Sequence, residues 1–134
     1  MENTLKQYGP LASRILLSAI FLLSGFSKIF DFTNQAAYVG SVLPAPALML
    51  IVAIVLEVGG AIFLLVGYKT RLGVTLLIIF TILATAFFHT NFADQIQMIM
   101  FMKNLAIIGG LLSIAIYGAG PISVDSKNEA GLEN

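Results

Sequence analysis

Four apolar stretches, each close to the length that crosses a bilayer, leave this chain few possible folds. They run from Leu11 to Phe30, Ala47 to Tyr68, Leu72 to Phe92 and Ile99 to Tyr117. A helix of about 20 apolar residues covers the roughly 30 Å of hydrocarbon. Backbone amides find no water there, so only helices or a closed barrel can span, and no alternating barrel pattern is present. Composition agrees. Of the 134 residues 58% are hydrophobic and 10% charged, with a mean hydropathy of +0.95, whereas a soluble domain carries about 25% charge. The expected fold class is all-α, an integral membrane four-helix bundle running up-down-up-down in a lipid bilayer. The first stretch carries Arg14 inside it, has no clear small-residue cleavage site and is longer than a signal-peptide core, so it reads as a retained helix.

The connections sharpen this picture. Lys69-Thr70-Arg71 is a minimal turn after Gly67, which makes the second and third helices antiparallel neighbours, and the segment Ala93–Met98 is nearly as short. The longer connection from Asp31 to Pro46 has room for a short interfacial helix capped by Thr33 and running through Gly40. Leu43-Pro44-Ala45-Pro46 then turns the chain into the second span. Past Gly118-Ala119-Gly120-Pro121 the composition becomes polar. Residues 1–122 therefore read as the membrane domain and 123–134 as a polar tail, solvated and mobile from Ser126 to Asn134. Lys6, Arg14, Lys69, Arg71 and Lys127 fall on the side that holds both termini, against Lys28 and Lys103 on the other. The positive-inside rule predicts cytoplasmic termini for this multi-pass protein.

What is missing excludes much chemistry. With no cysteine there is no disulfide, thiolate nucleophile or Fe–S ligation, and a single histidine argues against a bis-histidine haem or a structural zinc site. Seven basic residues balance seven acidic ones, so nothing advertises nucleic acid.

The charges inside the spans stand out instead, because each costs at least about 2.5–3.5 kcal/mol at the bilayer centre. Glu57 lies near the middle of the second span, out of reach of either surface. Helical spacing puts Arg14, Ser18, Phe21, Gly25 and Lys28 on one stripe, and Ala53, Glu57, Gly60, Leu64 and Gly67 on another. Thr81, Thr85 and His89 repeat along the third span. Lys103, Ile107, Gly110 and Tyr117 share a side of the fourth, with Asn104 flanking it. Together they predict one interior polar seam in which Glu57 pairs with Arg14 or Lys103. Arg14 and Lys28, near helix ends, read also as side chains snorkelling to the interfaces. Glu57 reads either as a structural ion pair or as a proton-handling group, with His89 beside it, while Arg14, Lys28, Lys103 and Asn104 are candidate binding residues.

These same residues carry a resemblance. Arg14 with Ser24-Gly25-x-x-Lys28 is similar to the first-helix pattern of the DoxX family. Leu56-Glu57-x-Gly59-Gly60 followed by Leu64-Leu65-x-Gly67-x-x-Thr70-Arg71 resembles its second. Lys103-Asn104-Leu105, Gly109-Gly110 and Gly118-x-Gly120-Pro121-x-Ser123-x-Asp125 resemble its last helix and exit. The likeness extends from Leu11 to Asp125. It implies a small bacterial inner-membrane protein of four spans, of a family associated with membrane oxidoreductase complexes such as thiosulfate:quinone oxidoreductase and a terminal quinol oxidase. Because the chain holds no redox centre of its own, that role implies a non-covalently bound quinone or flavin, or a soluble or membrane partner subunit that carries the cofactor. A homo-oligomer is compatible with it. Two other readings stand beside this one: a small transporter or solute-binding protein, for which a midplane charge is a usual sign, and a non-catalytic membrane scaffold.

Overall fold

The computed structural model describes residues 1–132, which form six helices: α1 (Glu2–Phe30), α2 (Phe32–Gly40), α3 (Pro46–Val66), α4 (Thr70–Phe88), α5 (Gln95–Tyr117) and α6 (Val124–Leu132). Of these, α1, α3, α4 and α5 are long and apolar enough to cross a membrane. α1 begins well before the first apolar stretch. Its 29 residues rise about 43 Å, more than the hydrocarbon is thick, so the polar turns around Glu2 and Lys6, themselves paired at 2.7 Å, project beyond it.

α2 begins at Phe32 rather than at Thr33, with Asp31 in the N-cap position. Thr33 is inside the helix, where its hydroxyl cannot cap. The Asp31 carboxylate makes no capping bond to the backbone and accepts from the Asn34 side-chain Nδ2 at 2.7 Å. Ala45 takes a left-handed conformation (φ 49°) immediately before Pro46, which opens α3 from the first-turn position proline favours.

Packing follows the order α1–α3–α4–α5, each helix against the next, while α1 and α5 meet only over a short length. The core is Phe21, Ala61, Leu64, Val74, Leu77, Leu111 and Ile114. Most other large apolar side chains, Leu16, Leu23 and Ile116 among them, stay exposed, as lipid-facing residues should. The stripe on α1 is buried as spacing predicts, at Arg14, Ser18, Phe21 and Gly25, and so is that on α3 at Glu57, Gly60 and Leu64. α5 departs from expectation. Its buried residues are Asn104, Leu111 and Ile114, whereas Lys103 and Tyr117 are exposed. α5 is apolar on nearly every side, so its sequence gives little indication of which face turns inward.

The polar C-terminal segment takes a regular structure that its composition did not suggest, since residues 124–132 form α6. Glu133 and Asn134 lie outside the described residues. α6 is held by contacts from a distance. The Asp125 N–H donates to the Gly67 carbonyl at 2.8 Å, and the Asp125 carboxylate accepts from the Lys69 and Thr70 amides at 2.8 and 2.9 Å. The carboxylate thus caps the exposed N–H groups at the start of α4.

The tightest crossing joins α3 and α4 at Gly60 and Gly73. A Cβ on Gly60 would stand 2.8 Å from Leu77 Cγ and 3.0 Å from the Gly73 carbonyl oxygen, and one on Gly73 would stand 2.9 Å from the Gly60 carbonyl oxygen. A backbone carbonyl cannot swing aside as a flexible side-chain end does. Gly73→Ala is therefore expected to destabilise by about 1–3 kcal/mol through overpacking. Gly109→Ala, whose Cβ meets nothing within 4 Å, should be neutral or mildly stabilising because alanine is the better helix former. Thermal melting of the two variants in one detergent checks the contrast.

Candidate functional site

The direction in which side chains leave a helix sorts the buried charges. Cα–Cβ bonds tilt toward the helix N-terminus. α1 starts at the end of the bundle that holds both termini, so Lys28, near its far end, leans back toward the bundle middle. Its ammonium donates to Ser24 Oγ, one turn earlier, at 2.5 Å and to Glu57 Oε2 at 2.8 Å. It also lies 5.5 Å from the centre of the Phe80 ring, within cation–π range. Lys28, and neither Arg14 nor Lys103, is thus the cation that pairs with Glu57. Glu57 is 1% exposed and the Lys28 side chain 19%. Gly25 permits the approach, since a Cβ there would collide with Val58 Cγ2 and sit 3.8 Å from Glu57 Oε2.

The same rule explains the other two cations. Arg14, on α1 but nearer its start, leans in the same direction, which from there leads away from Glu57 toward the terminal end. Arg14 is 2% exposed, and its guanidinium donates to the carbonyls of Ala119 (2.6 Å), Ile122 (2.9 Å) and Leu65 (3.1 Å). Three chain segments are thereby tied at the terminal end, around Gly67, whose Cβ would meet Ser123 and this guanidinium. α5 runs opposite to α1, so Lys103 leans outward, and its ammonium contacts Met100 Sδ one turn toward the start at 3.3 Å. Reach along the helix axis alone suggests the wrong partner for Glu57. The N-terminal tilt of the Cβ bonds, also legible in sequence, points to Lys28.

Away from the Arg14 knot the bundle is hollow. A cavity of about 280 Å³ lies between the four spans and α2, near the lower limit for small-ligand sites. Glu57, Lys28, His89, Lys103 and Asn104 all line it, whereas Arg14 does not. Asn104 donates to Thr85 Oγ1 at 2.8 Å, binding α5 to α4. Thr81 and Thr85 return their own hydroxyl protons to the carbonyls of Leu77 and Thr81, at 2.7 and 2.6 Å. His89 lies 3.0 Å from Gln97 Oε1 through Nδ1; in the tautomer that donates there, Nε2 is free to accept. Gln35 and Tyr38 of α2 roof the cavity, the Tyr38 ring stacked at 5.2 Å on Phe88. Neither roof residue belongs to a polar seam in the spans, so seam spacing could not find them. Among the described residues no group of three or more His, Asp or Glu side chains is placed to hold a metal ion.

Two outcomes follow from this geometry. Removing one partner of a buried ion pair typically costs about 3–5 kcal/mol, while replacing both by apolar residues costs far less. Glu57→Ala should lower the melting temperature in detergent substantially, and the double variant Lys28→Met, Glu57→Leu should recover most of the loss. At the other end burial disfavours the Asp125 charge, but the Thr70 and Lys69 donors and the positive Arg14 outweigh it and hold its pKa below the usual carboxylate range. A carboxylate with a lowered folded pKa stabilises fully above its unfolded value of about 4, and the contribution is lost as pH falls through the folded value. Asp125→Ala should therefore cost about 0.5–2 kcal/mol at neutral pH, with faster hydrogen exchange at the Lys69 and Thr70 amides, and the difference from wild type should shrink in strong acid.

Comparison with known proteins agrees with the architecture. The sequence profile of the DoxX family matches residues 9–90. The Escherichia coli inner membrane protein YqjF is 39% identical over 121 residues, covering 90% of this chain and 92% of that protein. The E. coli inner membrane protein YphA is 37% identical over 124 residues, covering 87% and 88%. The yeast ER-derived vesicles protein ERV29 is 33% identical over 129 residues, which make up 92% of this chain but 35% of that longer protein. No solved structure matches at a significant level. Profile and near-full-length relatives point the same way: the chain belongs to the DoxX family, as a multi-pass inner-membrane protein.

Proposed function

We propose that the chain is the membrane subunit of an oxidoreductase and that its cavity receives a quinone-type ring. One observation carries this reading: the Lys28–Glu57 pair borders a cavity instead of being sealed between packed helices. A purely structural pair gains nothing from a neighbouring void, which deprives its walls of packing contacts. A ring with two carbonyl oxygens suits the lining. Lys28 supplies an N–H donor for an oxygen, and Phe80, Phe88 and Tyr38 supply flat apolar surface. Reduction of a quinone to a quinol takes up two electrons and two protons. The electrons would come from a partner subunit with its own redox centre, and the protons could pass through Glu57, Lys28 and His89, which are groups able to exchange them. The charge asymmetry between the two ends supports cytoplasmic termini, with the cavity toward the opposite face.

Glu57→Gln separates this reading from a scaffold. The amide keeps an acceptor oxygen for Lys28 but has no carboxyl proton to transfer. On the proposed function the variant reaches normal abundance, and quinone-reductase activity in membranes, normalised to assembled protein, falls about 100-fold. Lower abundance with unchanged normalised activity would instead mark the pair as a structural fastening.

A further inference from the structure

We propose that the cavity admits its ligand sideways from the bilayer, through the gap between α1 and α5, so that the ligand is an amphiphile with a ring-sized head and an apolar chain. This rests on the cavity being a ligand site, as argued above.

Three of the four walls are fastened. Lys28–Glu57 and the close approach at Gly25 tie α1 to α3. The Gly60–Gly73 crossing closes α3 on α4, and the Asn104–Thr85 hydrogen bond joins α4 to α5. The fourth wall, α1 against α5, is tied only toward the terminal end. There Pro10 packs on Gly120, Arg14 binds the Ala119 and Ile122 carbonyls just past α5, and a Cβ on Gly110 would stand 3.4 Å from Leu17. α1 and α5 touch each other less than any other neighbouring pair of spans does. Ile20, Ser24 and Lys28 on α1 and Ile107, Asn104 and Lys103 on α5 border the cavity. Among the described residues no hydrogen bond or ion pair joins the two helices at that level.

The axial way in is covered. α2 lies across it, with Tyr38 stacked on Phe88, and His89 meets Gln97 beside it. The unfastened wall opens instead onto hydrocarbon, and its edges, Ile20 and Ile107, are half-buried aliphatic residues. An apolar chain leaving between them would stay in lipid while its polar head reached Lys28. A ligand without such a chain would gain nothing from this route.

The chain has no cysteine, so pairs can be introduced cleanly. In one variant Ile20→Cys and Ile107→Cys are bridged by a photocleavable bis-maleimide. In the other Tyr38→Cys and Phe88→Cys are bridged the same way. Full-length protein in nanodiscs is given a tritiated benzoquinone bearing a ten-carbon chain, or the same ring without the chain. Each bridged protein is compared with the same protein after photocleavage, so that the substitutions cancel. The α1–α5 bridge should slow association of the chain-bearing quinone by about tenfold or more relative to its cleaved form, and the α2–α4 bridge should cause no slowing relative to its own. The chain-less ring, left to equilibrate, should reach the same occupancy with each bridge intact as with it cleaved. The route is wrong if the α2–α4 bridge is the one that blocks, if neither blocks, or if the α1–α5 bridge also abolishes binding of the chain-less ring. If the unbridged proteins bind neither quinone, the ligand site and the route fall together; binding that ignores the α1–α5 bridge overturns the route alone.

Discussion

A carboxylate in the middle of a membrane-spanning helix is tolerable only if a cation reaches it, and the arrangement of this bundle depends on how that happens. Lys28 reaches Glu57 from the neighbouring helix at 2.8 Å. The contact sets the register of α1 against α3 and calls for glycine at position 25, where any side chain would push the helices apart. It holds the two charges with a serine hydroxyl and an aromatic face around the ammonium. Without it Glu57 would be a buried unpaired charge, which hydrocarbon tolerates poorly.

Helix direction then makes the two ends of the bundle different. At the terminal end Arg14 leans toward three carbonyls that no helix satisfies internally, and Asp125 caps the amides that open α4. Side chains thereby satisfy the orphan backbone groups of two helix ends and a loop. These ties draw α1, the α3–α4 turn and the segment before α6 into one closed knot. At the other end Lys28 is drawn inward and Lys103 outward, leaving the space between them open. One end supplies rigidity, and the other supplies volume bordered by polar groups.

Much of this was legible in the sequence where a pattern stood out from its background. Arg14, Ser18, Gly25 and Lys28 are conspicuous among leucines and phenylalanines, and Glu57 and Gly60 equally so, hence the inward stripes of α1 and α3 could be read from spacing. α5 is apolar on nearly every side, and there the reading put Lys103 and Tyr117 inward where the chain buries Leu111 and Ile114. α6 looked like a solvated tail because its hold on the bundle comes from Asp125 reaching amides more than fifty residues away in the chain. Local composition is silent about such a contact.

The sequence by itself determined that the chain spans a membrane with four helices and carries a charge at midplane, because hydrocarbon permits no other answer to stretches of that length and apolarity. That a cavity lies beside the Lys28–Glu57 pair, and that α1 and α5 touch only over a short length, were decided by the tertiary structure. Those outcomes depend on the mutual tilt, direction and spacing of helices that are distant in the chain, and hydrophobic periodicity along any one of them leaves that relation open.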